Sequence, residues 1–385
     1  MTGSLPRVLP DDAARLGAHV TVEAVTGDDA AAELLRTRQQ AELAVRYGEP
    51  DAGTFVPDAS IANVVVRSAG EPVAFVALRD VSGTPDGRGG SHPPRTGEVK
   101  RLWVEPAHRG RGHARTAMRA AHRHAVEAGL DRLVLETGTL QPESIDLYLS
   151  LGYVPIESYG HYAGHPLSRC FALDLGTMRD AGVGTDAAGA TSSTGGGLGA
   201  RGVRSTATAT SSEPATVLAR GVVEVRAVPW DDPDAAALRR EMHETSSAVL
   251  YPELFAGFDA AGGFDAVDAR VGAEVVATVV AYRDGDAVGC ASLRRPAPGA
   301  PADALEVKKV FVRERARRTG TARRLLDALE VVARERGVST LLLETGIRQP
   351  GAIALYRSLG YRAVEQFPPY VGDNHVALCF AKPLV

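Results

Sequence analysis

The sequence predicts an α/β chain of two similar domains, each a mixed central sheet with helices on both faces. Three observations lead there. Residues 98–104 (EVKRLWV) return at 306–312 (EVKKVFV), an offset of 208 (306 − 98). The same offset holds for LETG (Leu135–Gly138, Leu343–Gly346) and SLGY (Ser150–Tyr153, Ser358–Tyr361). A period this long marks a duplicated domain, since solenoid units recur at a few tens of residues. Within each copy the apolar pattern reads hairpin first and strand–helix–strand second, which makes a mixed sheet. Between the copies, residues 177–219 are rich in Gly, Ala, Ser and Thr. Such a segment cannot bury enough apolar surface to offset its ordering entropy, so it reads as a flexible linker. The domains are expected at 20–176 and 220–385, with 1–19 a loose tail.

Each copy opens on a short strand, Val20–Val25 or Val222–Val228. A helical region follows, with Asp28-Asp29 and Asp231-Asp232 as caps and first-turn acids. Next is a hairpin, turning at Ala69-Gly70 in copy 1 and at Asp284-Gly285 in copy 2, where Asp-Gly is a strong two-residue turn signal. Pro/Gly-rich loops (82–97 and 295–304) lead into the EVK strand. The segments Arg109-Gly110-Arg111-Gly112-His113-Ala114 and Arg317-Arg318-Thr319-Gly320-Thr321-Ala322 then open helices expected over Ala114–Ala128 and Ala322–Arg336. Gly129 and Gly337 end them. The LETG strand, a short helix ending near Gly152 or Gly360, and terminal strands near Ala172 and Ala381 complete each copy.

Composition excludes several classes. With 44% apolar and 23% charged residues in 385, the chain is ordinary for globular protein, and each copy is large enough for its own core. Residues 1–176 carry 18 basic and 22 acidic side chains and residues 220–385 carry 22 of each, so neither half is a basic nucleic-acid binder. Three cysteines make no disulfide framework, and no Cys/His spacing suggests zinc, so no metal is expected. Cys170 and Cys379 read as small apolar residues of terminal strands. There is no signal-like N-terminus and no run of 18 apolar residues, so no membrane span and a cytoplasmic location are expected.

A glycine loop leaving a strand and entering a helix is an anion site. Backbone N–H groups at the helix start point outward, and the helix dipole favours negative charge there. Gly112 and Gly320 let a phosphate approach the backbone. Ala114 and Ala322 keep the first turn uncluttered, and Arg109 and Arg317 can add a charged donor.

Taken together, the EVK strand, the Arg-x-x-Gly-x-Ala loop, the LETG strand and the Leu-Tyr-x-Ser-Leu-Gly-Tyr helix resemble the GNAT superfamily of acyl-CoA N-acyltransferases. The resemblance covers both halves, in the family's order and spacing. It implies acetyl-CoA as donor, with the pyrophosphate cradled by Arg109, Arg111, Gly112, His113 and Ala114, and by Arg317, Thr319, Gly320, Thr321 and Ala322. It implies pantetheine along Leu102, Trp103 and Val104, and along Val310, Phe311 and Val312, recognised by the strand edge. It implies that Tyr148 and Tyr356 support the departing thiol, as a phenol can by donating a proton or hydrogen bond. The alternative for Tyr148 is packing with Ile145 and Leu149 on one helix face. Tyr153 and Tyr361 read as packing beside the cap glycine.

The attacking amine must shed a proton, since an alkyl ammonium has a pKa near ~10.4. Glu98 and Glu306 are the candidate bases, with Glu136 and Glu344 the alternatives; either pair could instead be structural carboxylates. The arginine run around Arg313–Arg324 reads as CoA-phosphate contacts and a solvated face. His161 and His165 read as surface groups. The expected function is acetyl transfer from acetyl-CoA to a primary amine, small molecule or peptide, in a ternary complex. An acyl-CoA sensor with one or both copies inactive is the alternative. The N-terminal parts that build the acceptor pocket in this family differ most, QQAELAVRY (39–47) against HETSSAVLY (243–251).

Overall fold

The computed structural model describes residues 20–48, 56–176, 222–257, 259–372 and 374–384. The tail and linker expected at 1–19 and 177–219 lie outside them. Each copy forms one seven-stranded sheet. In copy 1 the strands are β1 (Val20–Val25), β2 (Ser60–Ser68), β3 (Glu71–Asp80), β4 (Thr96–Val104), β5 (Arg132–Gly138), β6 (Val154–Ile156) and β7 (Ser168–Asp174), in the order β1-β2-β3-β4-β5-β7-β6. In copy 2 they are β8 (Val223–Val228), β9 (Val275–Arg283), β10 (Asp286–Arg294), β11 (Ala304–Val312), β12 (Thr340–Gly346), β13 (Arg362–Val364) and β14 (Ala377–Pro383), in the same spatial order. All neighbours are antiparallel except β4·β5 and β11·β12, which helices connect as parallel strands require. The mixed sheet read from the sequence is the one observed.

The helices are α1 (Ala30–Tyr47), α2 (His113–Glu127) and α3 (Pro142–Ser150) in copy 1, and α4 (Pro233–Met242), α5 (Gly263–Gly272), α6 (Thr321–Glu335) and α7 (Pro350–Ser358) in copy 2. Asp29 and Asp232 cap their helices as expected, accepting from Ala32 N–H (2.9 Å) and Ala235 N–H (3.0 Å). The long helices α2 and α6 bury Ala117, Ala121 and Ala125, or Leu325, Leu329 and Ala333, on one sheet face, at the spacing an amphipathic stripe requires. Their ends fall where Gly129 (φ 76°) and Gly337 (φ 69°) take up left-handed backbone. Tyr153 and Tyr361 are core residues, as read, and Tyr153 also bonds His122 Nε2 at 3.0 Å. Cys170, Cys290 and Cys379 are buried and free.

The N-terminal regions diverge. Copy 1 has one continuous 18-residue helix, α1. Copy 2 has α4, then a π-turn at His243–Ser247 and short turns through Pro252–Phe255, and then α5. This difference shapes the sites below.

The two copies pack on each other. One hydrophobic cluster runs through both, from Val22 to Phe380. At its edge Arg169, 1% exposed, donates to Pro166 O and Ser168 O in its own copy and to Asn374 O (2.8 Å) and Ala377 O (2.9 Å) across the junction. Ala377 is the residue equivalent to Arg169 under the offset of 208, so equivalent positions of β7 and β14 meet at the junction. Asp146 of α3 accepts from Ala363 N–H (3.1 Å), and Glu157 pairs with Arg348.

Candidate active site

The sequence builds the same wedge twice. β4 and β5 pair only from Thr96↔Arg132 to Val99↔Leu135, and β11 and β12 only from Ala304↔Thr340 to Val307↔Leu343. Beyond those points β5 and β12 pair with β7 and β14 to their ends, while β4 and β11 diverge from them. The edge of β4 from Lys100, and of β11 from Lys308, therefore has no strand partner on that side. Leu102, Trp103 and Val104, and Val310, Phe311 and Val312, lie on these open edges. A bulge sits at the mouth of each wedge, with Arg101 (φ 60°) and Lys309 (φ 56°) in left-handed backbone.

At the end of each open strand the chain turns into α2 or α6. Gly112 (φ 86°) and Gly320 (φ 82°) are the N-caps, and neither helix has a side-chain cap. The first-turn N–H groups of His113 and Ala114, or Thr321 and Ala322, have no intrahelical acceptor. A Cβ built on Gly320 meets nothing within 4 Å, so the cradle opens to space. A diphosphate fits these features in charge, in donors and in room. Arg111 and Gly112 are exposed at the cradle, as is Gly320. Thr319 Oγ1 bonds Ala316 O (2.7 Å) and Thr321 Oγ1 (2.9 Å), which shapes the loop. The two arginines expected as phosphate donors brace the turn as well: Arg109 Nε donates to Val104 O (3.1 Å) and Arg317 Nε to Val312 O (3.0 Å). Copy 2 places Arg318 (φ 60°) where copy 1 has Gly110 (φ 75°), so its loop keeps the same backbone with a side chain on it.

The wedge of copy 2 holds a cavity of about 240 Å³. Tyr356, Glu344, Lys308 and Lys309 line it, with Met242, Tyr251, Leu254 and Phe255 from the broken N-terminal region. Tyr356 is 6% exposed, and burial holds its hydroxyl well above the usual phenol range, so it stays protonated. Burial also raises the Glu344 carboxyl, against the opposing pull of Lys308 Nζ at 3.5 Å. Lys309 is pushed down to about 8 by burial and by its neighbour Lys308. Tyr148 has the same buried, raised phenol in copy 1, packed on Tyr153 and Phe171.

Glu98 and Glu306 sit elsewhere. They lie at the paired end of their strands, 1% and 0% exposed, inside matching polar clusters. Glu98 takes Arg79 Nε (2.6 Å) and Tyr159 Oη (2.9 Å); Glu306 takes Arg294 Nε (2.7 Å) and the Tyr370 hydroxyl. Each arginine is the residue directly opposite on the adjacent strand. Glu306 is absent from the wall of the wedge cavity, and the carboxylate that lines it is Glu344. A second cavity, of about 300 Å³, opens beside Glu98 between Arg79, His92, Tyr159 and Tyr162 of copy 1, with His161 on its rim.

Two tyrosines missing from the sequence reading complete the wedge. Tyr47 ends α1 and covers Gly138; Tyr251 covers Gly346. Their hydroxyls accept the N–H of Leu140 (3.2 Å) and Arg348 (2.9 Å) and fix the loop after the LETG strand. A Cβ on Gly138 or Gly346 would lie 1.9 or 2.0 Å from those hydroxyls, which explains the glycine of LETG. The available signal was the tyrosine ending both otherwise dissimilar nine-residue segments.

Copy 1 closes its wedge differently. Glu42 of α1 accepts from Trp103 Nε1 (3.2 Å) and pairs with Arg109, and Gln39 Nε2 donates to Leu102 O (3.2 Å). Burial alone would raise the Glu42 carboxyl, but Arg109, Trp103 and Arg46 outweigh it and hold it low. Among the described residues no helix is long and apolar enough to cross a membrane, and no His/Cys/Asp/Glu group could hold a metal.

The chain is similar to known proteins in sequence. The sequence model of the acetyltransferase (GNAT) family matches twice, over residues 28–153 and 240–361. An IAA acetyltransferase of Azospirillum brasilense is 42% identical over 106 residues, 28% of this chain and 67% of that protein. N-acetyltransferase family 8 member 2 of Rattus norvegicus is 34% identical over 111 residues, 29% of this chain and 45% of that protein. The chain thus spans about two thirds of the first relative and under half of the second. The PaiA N-acetyltransferase of Thermoplasma acidophilum, solved in complex with coenzyme A, aligns over 42% of this chain and 99% of its own at 13% identity and a TM-score of 0.33.

Proposed function

The chain belongs to the acetyltransferase (GNAT) family, and from that premise we propose that it transfers an acetyl group from acetyl-CoA to a primary amine by direct attack in a ternary complex, with copy 2 as the working site. The observation that carries this is the copy 2 cavity, which brings a protonated tyrosine and a carboxylate raised by burial to the open edge of β11. The cradle of Thr319, Gly320, Thr321 and Ala322 holds the diphosphate at the start of α6, and Val310–Val312 pair with the pantetheine amides. Glu344 takes the proton that the amine loses as its nitrogen bonds the acetyl carbonyl carbon. As the carbon–sulfur bond breaks, Tyr356 Oη supplies a proton or hydrogen bond to the leaving sulfur. The raised Glu344 carboxyl suits a base that must accept a proton near neutral pH.

Copy 1 keeps the cradle of Arg111, Gly112, His113 and Ala114 and the phenol of Tyr148. In it Gln39 occupies the Leu102 carbonyl and Glu42 bridges Trp103 and Arg109. These contacts favour a second reading for that half, a donor-binding or structural module in which Tyr148 does no chemistry. Release of CoA thiol with an amine panel tests both. Loss of turnover in Tyr356→Phe with retention in Tyr148→Phe supports copy 2 as the catalyst, and the reverse pattern refutes it.

A further inference from the structure

The charges around the copy 2 cavity do not balance. Glu306 is held by Arg294 and Lys308, and Glu344 by Lys308 (3.5 Å each from Lys308 Nζ). Lys309 has no carboxylate within salt-bridge distance among the described residues. The acid in its surroundings, Asp268, is already taken by Arg239 through both oxygens, at 3.0 and 3.1 Å from Nε and 2.8 Å from Nη2. A half-buried ammonium without a counter-ion is unfavourable, which agrees with its depressed pKa.

The backbone adds a second, independent argument. Lys309 sits at the bulge in left-handed backbone (φ 56°), where glycine or asparagine would be relaxed. Copy 1 has Arg101 (φ 60°) at the equivalent bulge, so both copies bear this strain with a cation in place. Strain retained at the mouth of a cavity points to a use for the side chain.

We propose that the acceptor of copy 2 is an amine that also carries a carboxylate, of amino-acid size, and that Lys309 binds the carboxylate. This rests on the reading of copy 2 as the acetyl-transfer site. The cavity offers each part of such a molecule a match: Glu344 and Tyr356 at the reacting amine, Lys309 at the carboxylate, and Met242, Leu254 and Phe255 for an apolar side chain. Its volume of about 240 Å³ is of the size of one amino-acid residue.

Product binding tests this without requiring turnover. N-acetyl-L-methionine, N-acetyl-L-leucine and N-acetyl-L-phenylalanine are titrated calorimetrically into the full chain with CoA present, each against its C-terminal amide. The expected result is an acid preferred over its amide by tenfold or more. In Lys309→Met the ratio falls to about one, and Lys309→Arg keeps most of it. Equal binding of acid and amide, or a preference that survives Lys309→Met, overturns the proposal. A parallel titration with CoA alone separates the failures. If CoA binds but no acid preference exists, only this inference falls; if CoA does not bind, the donor reading falls with it.

Discussion

Gly346→Ala introduces a single methyl group where the structure leaves no room for one. The added Cβ would lie 2.0 Å from Tyr251 Oη and 2.2 Å from Cζ, so the ring must move. Tyr251 is 6% exposed, and its hydroxyl accepts the Arg348 N–H at 2.9 Å. Overpacking of a well-filled site costs about 1–3 kcal/mol. Losing the hydrogen bond adds about 1 kcal/mol. The substitution is therefore expected to destabilise copy 2 by about 2–4 kcal/mol. Gly346 has no left-handed backbone, and alanine is tolerated in strands, so the effect comes from space alone. Urea unfolding of four proteins measures it: wild type, Gly346→Ala, Tyr251→Ala and the double variant. In the Tyr251→Ala background the clash is gone, and Gly346→Ala should cost under about 0.5 kcal/mol. A loss below about 1 kcal/mol in the wild-type background, or equal losses in both, would refute the packing argument for the LETG glycine.

Other outcomes follow from the same geometry. Tyr356→Phe should lower kcat by roughly 10- to 100-fold with little change in the acetyl-CoA KM, since the hydroxyl acts on the leaving sulfur and the ring packing is retained. Glu344→Gln should remove the acidic limb of the kcat/KM profile. In wild type that limb should lie above the ordinary carboxylate range, because burial raises the group and the base works only deprotonated, so activity falls as pH drops through the raised value. Arg169→Met should destabilise the chain by at least about 3 kcal/mol, because four carbonyls lose a charged donor, two of them across the junction of the copies. Thermal unfolding followed by calorimetry should then show the two copies melting separately, and an unchanged single transition would argue against Arg169 as the tie.

Much of the fold was legible because its signals are local or repeated. The offset of 208 set strand against strand, Asp-Gly marked a hairpin, and Gly112 and Gly320 marked helix starts. The wedges were not legible, because they depend on where a parallel ladder stops, and no residue at Val99 or Val307 announces that. The surroundings of Glu98 and Glu306 were not legible for a related reason. Their partners, Arg79 and Arg294, lie across a hairpin whose register is set by bulges, so the pairing is invisible along the chain. Glu344, held as the alternative, is the carboxylate that faces the cavity. Lys309 was passed over because its chemistry comes from an unpaired charge in three dimensions and from a left-handed backbone, neither of which the letters KK convey.

Calorimetric titration of CoA into Gly112→Asp/Gly320→Asp, compared with Gly112→Asn/Gly320→Asn, is the most direct test of the two helix-start cradles. Asparagine and aspartate both tolerate left-handed backbone, and the space beside Gly320 is open, so the pair differs mainly in charge. The cradles predict that the asparagine protein binds CoA within about threefold of wild type while the aspartate protein loses tenfold or more, by repulsion of the diphosphate. Equal CoA affinity in the aspartate and wild-type proteins would contradict them.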